Sequence, residues 1–155
     1  TTAGKKGQEK SSGPANLWTC FRKSVTLEAA PRRAVARIAV DSKYWLWING
    51  ELVVFEGQLK RGPNPNDTYY DRVDLTGHLQ KGENTVAILV WYYGKDGFSH
   101  KSSGKAGLVV DAEVDGKPLH EHLNALEARN ASQSEIEAVV RSFVDSRADG
   151  GQTGR

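Results

Sequence analysis

A single cysteine, Cys20, occurs in 155 residues. No intramolecular disulfide can form and zinc sites with two or more thiolates are excluded, so stability must come from packing. No apolar run approaches the roughly 18 to 20 residues of a transmembrane helix, and a bilayer-spanning segment is not expected. Charge of one sign is also lacking. Lys plus Arg number 21 against 19 Asp plus Glu, a balance too even to suggest a polyanionic partner, so neither nucleic acid nor membrane is expected as a partner. The Gly-x-Ser-x-Gly elbow, the phosphate loop and His-Glu-x-x-His are all missing, which removes the familiar hydrolase and nucleotide signatures. No charged n-region leads into an apolar h-region at the start, so any export signal is read as absent or already removed.

The composition is that of a globular protein, with 38% apolar, 8% aromatic and 26% charged residues, and the length fits one core. Residues 1–15 carry Gly4, Gly7, Gly13, Pro14, Ser11, Ser12 and three lysines with no large apolar side chain, and they read as a disordered linker. Short strands follow: Trp18 to Thr26, then Ala34 to Val40, where Ala34, Ala36, Ile38 and Val40 share one face and Arg37 lies on the other. Tyr44 to Ile48 and Glu51 to Phe55 flank Asn49-Gly50, the dipeptide suited to a type I′ hairpin. Thr68 to Leu75, Thr85 to Tyr92 and Ala106 to Val114 are further strands. The Thr85 to Tyr92 run is apolar enough to be buried on both faces.

With no helical period before residue 120, residues 16–118 are predicted to form an all-β domain, an antiparallel β-sandwich or jelly roll. The extension 119–146 changes character. Ser132 and Glu135 form a capping box, and Ile136, Val139, Val140, Phe143 and Val144 lie on one stripe of an amphipathic C-terminal helix at about 132–146. Its apolar stripe must dock on its own domain or on a partner. Residues 147–155 read as a disordered tail.

Two long loops, Glu56 to Asp67 and Gly94 to Lys105, are placed where binding residues tend to sit. Aromatic residues cluster at Tyr44, Trp45, Trp47, at Tyr69 and Tyr70, and at Trp91, Tyr92 and Tyr93. A sugar ring has an apolar C–H face and a rim of hydroxyls, so an aromatic platform beside polar side chains suits it. The candidate carbohydrate-binding residues are Trp91, Tyr92, Tyr69, Arg61, Asn64, Asn66, Asp67, Lys95, Asp96 and His100, forming a polar pocket if the loops meet. Along the strand Tyr44, Leu46 and Ile48 face one way and Trp45 and Trp47 the other, the latter pair packing on loops or a neighbouring domain. No residue pattern assigns a cofactor. Ca2+ is the one candidate ion, because Asn64, Asn66, Asp67 and Asp71 offer hard oxygen ligands, although their order fits no EF-hand loop. Glycosidase work would need two carboxylates about 5 to 9.5 Å apart, and among the candidates Glu51, Glu56, Asp67 and Asp71 nothing in the spacing singles out a pair.

Asp41 to Glu51, with its aromatic-x-Leu-x-Ile-Asn-Gly hairpin, resembles the accessory β-sandwich domains of bacterial α-L-rhamnosidases and related multidomain glycoside hydrolases. The similarity continues through the Tyr-rich strand ending in Asp74-Leu75-Thr76 and through Leu79 to Asn84, which contains Gly-Glu-Asn, and covers about Asn16 to Gly116. The resemblance implies a galactose-binding-like jelly roll, no catalysis in this domain, and a secreted or periplasmic setting. It implies a glycan partner, with rhamnose-containing glycans among the candidates, for a carbohydrate-binding or accessory module. The alternative is a structural module that docks a protein partner or self-associates through the C-terminal helix.

Overall fold

Alternation of apolar and polar side chains lets each strand bury one face, and two such sheets cover each other. The computed structural model describes residues 15–59, 69–97, 101–119, 127–130 and 134. Among them are β1 (Leu17–Leu27), β2 (Ala34–Asp41), β3 (Lys43–Ile48), β4 (Glu51–Gln58), β5 (Asp71–Asp74), β6 (Gly82–Tyr92), β7 (Gly107–Val114), β8 (Lys117–Pro118) and β9 (Glu127–Asn130). A five-stranded sheet has the order β4-β3-β6-β1-β9 and a four-stranded sheet the order β5-β2-β7-β8. Every pairing is antiparallel. The expected all-β sandwich is therefore present.

Ala34, Ala36, Ile38 and Val40 of β2 face Tyr44, Leu46 and Ile48 of β3 and Ile88 and Val90 of β6 across one core, closed by Leu75, Leu79 and Leu119. Tyr44 is fully buried, and that burial pushes its phenol pKa up, with the Asp71 carboxylate acting in the same direction. On the solvent side of β2, Arg37 pairs with Asp111 at 2.8 Å and Glu113 at 3.5 Å. Hydrogen bonding to Asp111 and the Glu113 charge raise its pKa further.

Asn49 and Gly50, at φ 52° and 84°, form the expected left-handed pair of a type I′ hairpin between β3 and β4. Asp115 and Gly116 repeat it at φ 49° and 81°, between β7 and β8. That second hairpin was legible in its Asp-Gly dipeptide but not anticipated. The Tyr-rich strand is shorter than expected, starting at Asp71. Tyr69 and Tyr70 stand outside the ladder because the Tyr69 carbonyl accepts from the Gln58 side chain at 3.0 Å and the Asp71 carboxylate accepts from the Gln58 backbone N–H at 2.7 Å. Burial of β6 on both faces holds only for Ile88, Leu89 and Val90. The linker before Ala15, most of the expected helix and the tail lie outside the described residues; within 132–146, Ser134 is described, helical and exposed.

Candidate functional site

The turn from β2 into β3 gathers the stems of both long loops. Ser42 accepts from the Leu59 N–H through its carbonyl and from the Tyr93 N–H through its hydroxyl, at 2.8 and 3.1 Å. Its own N–H donates to the Trp91 carbonyl at 2.8 Å. Beside it Asp41, 3% exposed, accepts from the Ser103 N–H at 2.6 Å, the Ser103 hydroxyl at 2.8 Å and the Ser102 hydroxyl at 3.2 Å. Sequence reasoning did not single out Asp41 or Ser42, since neither residue type signals a hub until the strands that cross there are paired. The described stems of the two loops therefore start from one end of the sandwich.

Next to this end runs an aromatic row on the outer face of the five-stranded sheet. Because β1 and β6 pair Trp18 with Trp91, their rings stack at 5.9 Å and 29°. Trp18 stacks on its other neighbour, Trp45, at 5.5 Å and 27°. Phe55 meets the edge of Trp45 at 6.4 Å and 83°. At the loop end, Tyr93 tilts against Trp91 with centroids 5.5 Å apart and keeps 37% of its surface exposed. Offset and edge contacts of this kind hold each ring in place. The Trp91 indole N–H donates to the Asn16 side-chain oxygen at 2.6 Å, and the Asn16 N–H donates to the Tyr93 carbonyl at 3.1 Å, which fixes the end of the row. The indole nitrogen of Trp45 is buried and has no hydrogen-bond acceptor among the described residues.

The sequence-derived candidates separate on this frame. Trp91 lies in the row, but Tyr93, outside the candidate list, holds its exposed end. Period-2 alternation carries that signal: if Trp91 faces outward, Tyr93 does too and Tyr92 does not. Tyr92 is 2% exposed and offers no ring face to a ligand, which corrects its assignment to the platform. Gly94, at φ +74°, turns the chain beside it, and a Cβ there would come within 3.0 Å of both the Tyr92 ring and Ala15. Tyr69 is 59% exposed and Tyr70 58%, joined to the loop end through Gln58. Lys95 is exposed. Asp96 is used within its loop, accepting from Lys101 at 3.0 Å and from the Ser102 N–H at 3.0 Å. Arg61, Asn64, Asn66, Asp67 and His100 lie outside the described residues.

Among the described residues no group of three His, Cys, Asp or Glu side chains stands together to hold a metal. The described carboxylates considered for glycosidase work have structural partners: Glu51 with His78 at 3.4 Å, Glu56 with Lys43 at 3.1 Å and Asp71 with Gln58.

The sequence matches no protein-family model and no curated protein. Among solved structures, a GH78 family rhamnosidase of Bacillus sp. GL1 is 35% identical with a TM-score of 0.64, over 80% of this chain and 13% of that enzyme. The chain is thus a structural match to an accessory domain of GH78 α-L-rhamnosidases. It is not the catalytic domain. The α-L-rhamnosidase of Dictyoglumus thermophilum shares the fold at 21% identity and a TM-score of 0.51, covering 77% of this chain and 13% of that one. That of Aspergillus terreus does so at 20% and 0.53, covering 78% and 14%. The chain spans only about an eighth of the length of these enzymes.

Proposed function

We propose that this accessory domain is a carbohydrate-binding module of galactose-binding-like jelly-roll type, serving an α-L-rhamnosidase and holding a glycan at its loop-bearing end. The observation that carries the reading is the aromatic row, which terminates in the exposed ring of Tyr93 where both long loops emerge. Tyr93 supplies a stacking surface for the C–H face of a sugar, and Lys95 with the polar residues of the Glu56 to Asp67 loop supplies hydrogen bonds to its hydroxyls. Trp91, whose indole N–H is engaged by Asn16, supports the platform. A rhamnose-containing polysaccharide is the first ligand to test, and a secreted or periplasmic setting accords with such a substrate.

The test is a glycan array that includes rhamnose-containing polysaccharides, run with calcium and again with chelator, on the parent chain and on the Tyr93→Ala variant. Binding lost in the variant at unchanged melting temperature supports the platform. Loss in chelator adds a Ca2+ ion at the Asn64 to Asp71 loop. A folded chain that binds no glycan moves the assignment to the second reading, a structural module that docks a protein partner or self-associates.

A further inference from the structure

We propose that the glycan site runs on from Tyr93, across the Lys43–Glu56 ion pair, to a second stacking subsite at Tyr69 and Tyr70, so that the domain takes an oligosaccharide segment and not a single terminal sugar. The subsite rests on the glycan reading and adds the length of the ligand to it.

Among the described residues the exposed large aromatic side chains are Tyr69, Tyr70 and Tyr93. Tyr69 and Tyr70 are the more open, at 59% and 58% against 37% for Tyr93, and each phenol ring offers a face for stacking and a hydroxyl for hydrogen bonding.

Strand register sets their distance from Tyr93. Lys43 of β3 lies opposite Trp91 of β6 on one side and Gln58 of β4 on the other. Trp91 and Gln58 are thus at one level of the sheet, two strand spacings or roughly 10 Å apart. Tyr93 follows two residues beyond Trp91, and the Tyr69 carbonyl accepts from the Gln58 side chain at 3.0 Å. That separation exceeds one pyranose ring and suits a short chain of them. Both anchors meet at Ser42, which accepts from the Tyr93 N–H and from the Leu59 N–H next to Gln58, so the two stacking surfaces are fixed to one point of the fold.

The ground between them is polar. By alternation Lys43 shares the outward face with Trp45 and Trp47, the face on which the aromatic row ends at Tyr93. Its ammonium pairs with Glu56 at 3.1 Å, and both side chains stay partly exposed, a donor and an acceptor for sugar hydroxyls. Glu56, Gln58 and Leu59 adopt φ 54°, 68° and 69°, a left-handed conformation that residues other than glycine rarely take. With that costly backbone Glu56 reaches Lys43 while Gln58 reaches Tyr69 and Asp71, and such strain collects at ligand sites.

The test uses the full chain on an array that carries each glycan as a single unit and as chains of increasing length, L-rhamnose and rhamnose-containing oligosaccharides among them. The parent should hold the chain form about tenfold or more tighter than the single unit, and the double variant Tyr69→Ala/Tyr70→Ala should lose that gain. Tyr93→Ala should weaken both forms. Val109→Ser, exposed on the outer face of the four-stranded sheet, should change neither. Should the double variant unfold, the parent is titrated with the oligosaccharide by NMR, and the ring signals of Tyr69 and Tyr70 should shift together with that of Tyr93. Equal binding of single unit and chain, chain binding indifferent to the double variant, or Tyr69 and Tyr70 signals that stay fixed while Tyr93 moves overturns the proposal and leaves the glycan reading standing. Binding to no glycan in either form overturns both.

Discussion

The side-chain amide of Asn49 donates to the side-chain oxygen of Asn84 at 2.9 Å, joining the two segments that carry the rhamnosidase-domain resemblance. Asn84 is fully buried. Its oxygen also accepts from the Gln80 N–H, and its amide donates to the Gln80 and Gly82 carbonyls at 2.7 and 3.1 Å. The Asn49 side-chain oxygen accepts from the Thr85 N–H at 2.9 Å. Both motifs therefore specify one clasp holding the β3–β4 hairpin to the turn before β6. Asn84→Ala should cost about 2–4 kcal/mol, because the four hydrogen bonds of this buried side chain are lost at once. In a double-mutant cycle with Asn49→Ala, measured by urea unfolding, the two changes should be strongly non-additive.

Gly57 lies against the ring of Tyr44, and a Cβ there would approach the phenol oxygen to 2.8 Å and the ring carbons still more closely. Tyr44 is enclosed by the core and cannot give way. Gly57→Ala should lower stability by about 1–3 kcal/mol through overpacking, read as a lower denaturation midpoint with an unchanged m-value.

Asp41 pins the far side of the Gly94 to Lys105 loop. Asp41→Ala removes the acceptor of the Ser103 N–H and the Ser102 hydroxyl, while the Ser103 hydroxyl keeps the Lys105 carbonyl at 2.9 Å, and should cost about 1–3 kcal/mol. The Ser103 amide should then exchange with solvent far faster than the amides of β6, which hydrogen–deuterium exchange can resolve residue by residue.

Asp74 accepts from the Thr76 hydroxyl at 2.6 Å and the Thr76 N–H at 2.9 Å, and these bonds hold its pKa below the usual carboxylate value. Since the folded pKa is the lower one, this stabilisation is present above the unfolded value of about 3.9 and is lost as pH falls through the folded value. Asp74→Asn should therefore be less stable than the parent near neutrality. The gap between the two urea midpoints should narrow below about pH 4.

The sandwich was legible because its strands alternate cleanly and its first hairpin turns on Asn-Gly. Tyr92 was misplaced by treating three consecutive aromatics as one surface, although a strand must send the middle one inward. Asp41 could not be recognised as a hub from sequence, because its partners Ser102 and Ser103 are about sixty positions away. β8 was missed because it is two residues long, and β9 because it is four residues long with no apolar alternation to mark it.

β9 covers the edge of β1. β1 runs for 11 residues, and without the pairing from Thr19 to Arg22 it would offer a long unsatisfied edge, the feature that recruits foreign strands and seeds aggregation. A version of the domain trimmed at residue 119 would keep both faces of its core yet carry one sticky margin, so the few residues around Glu127 serve as a selvedge for the sheet.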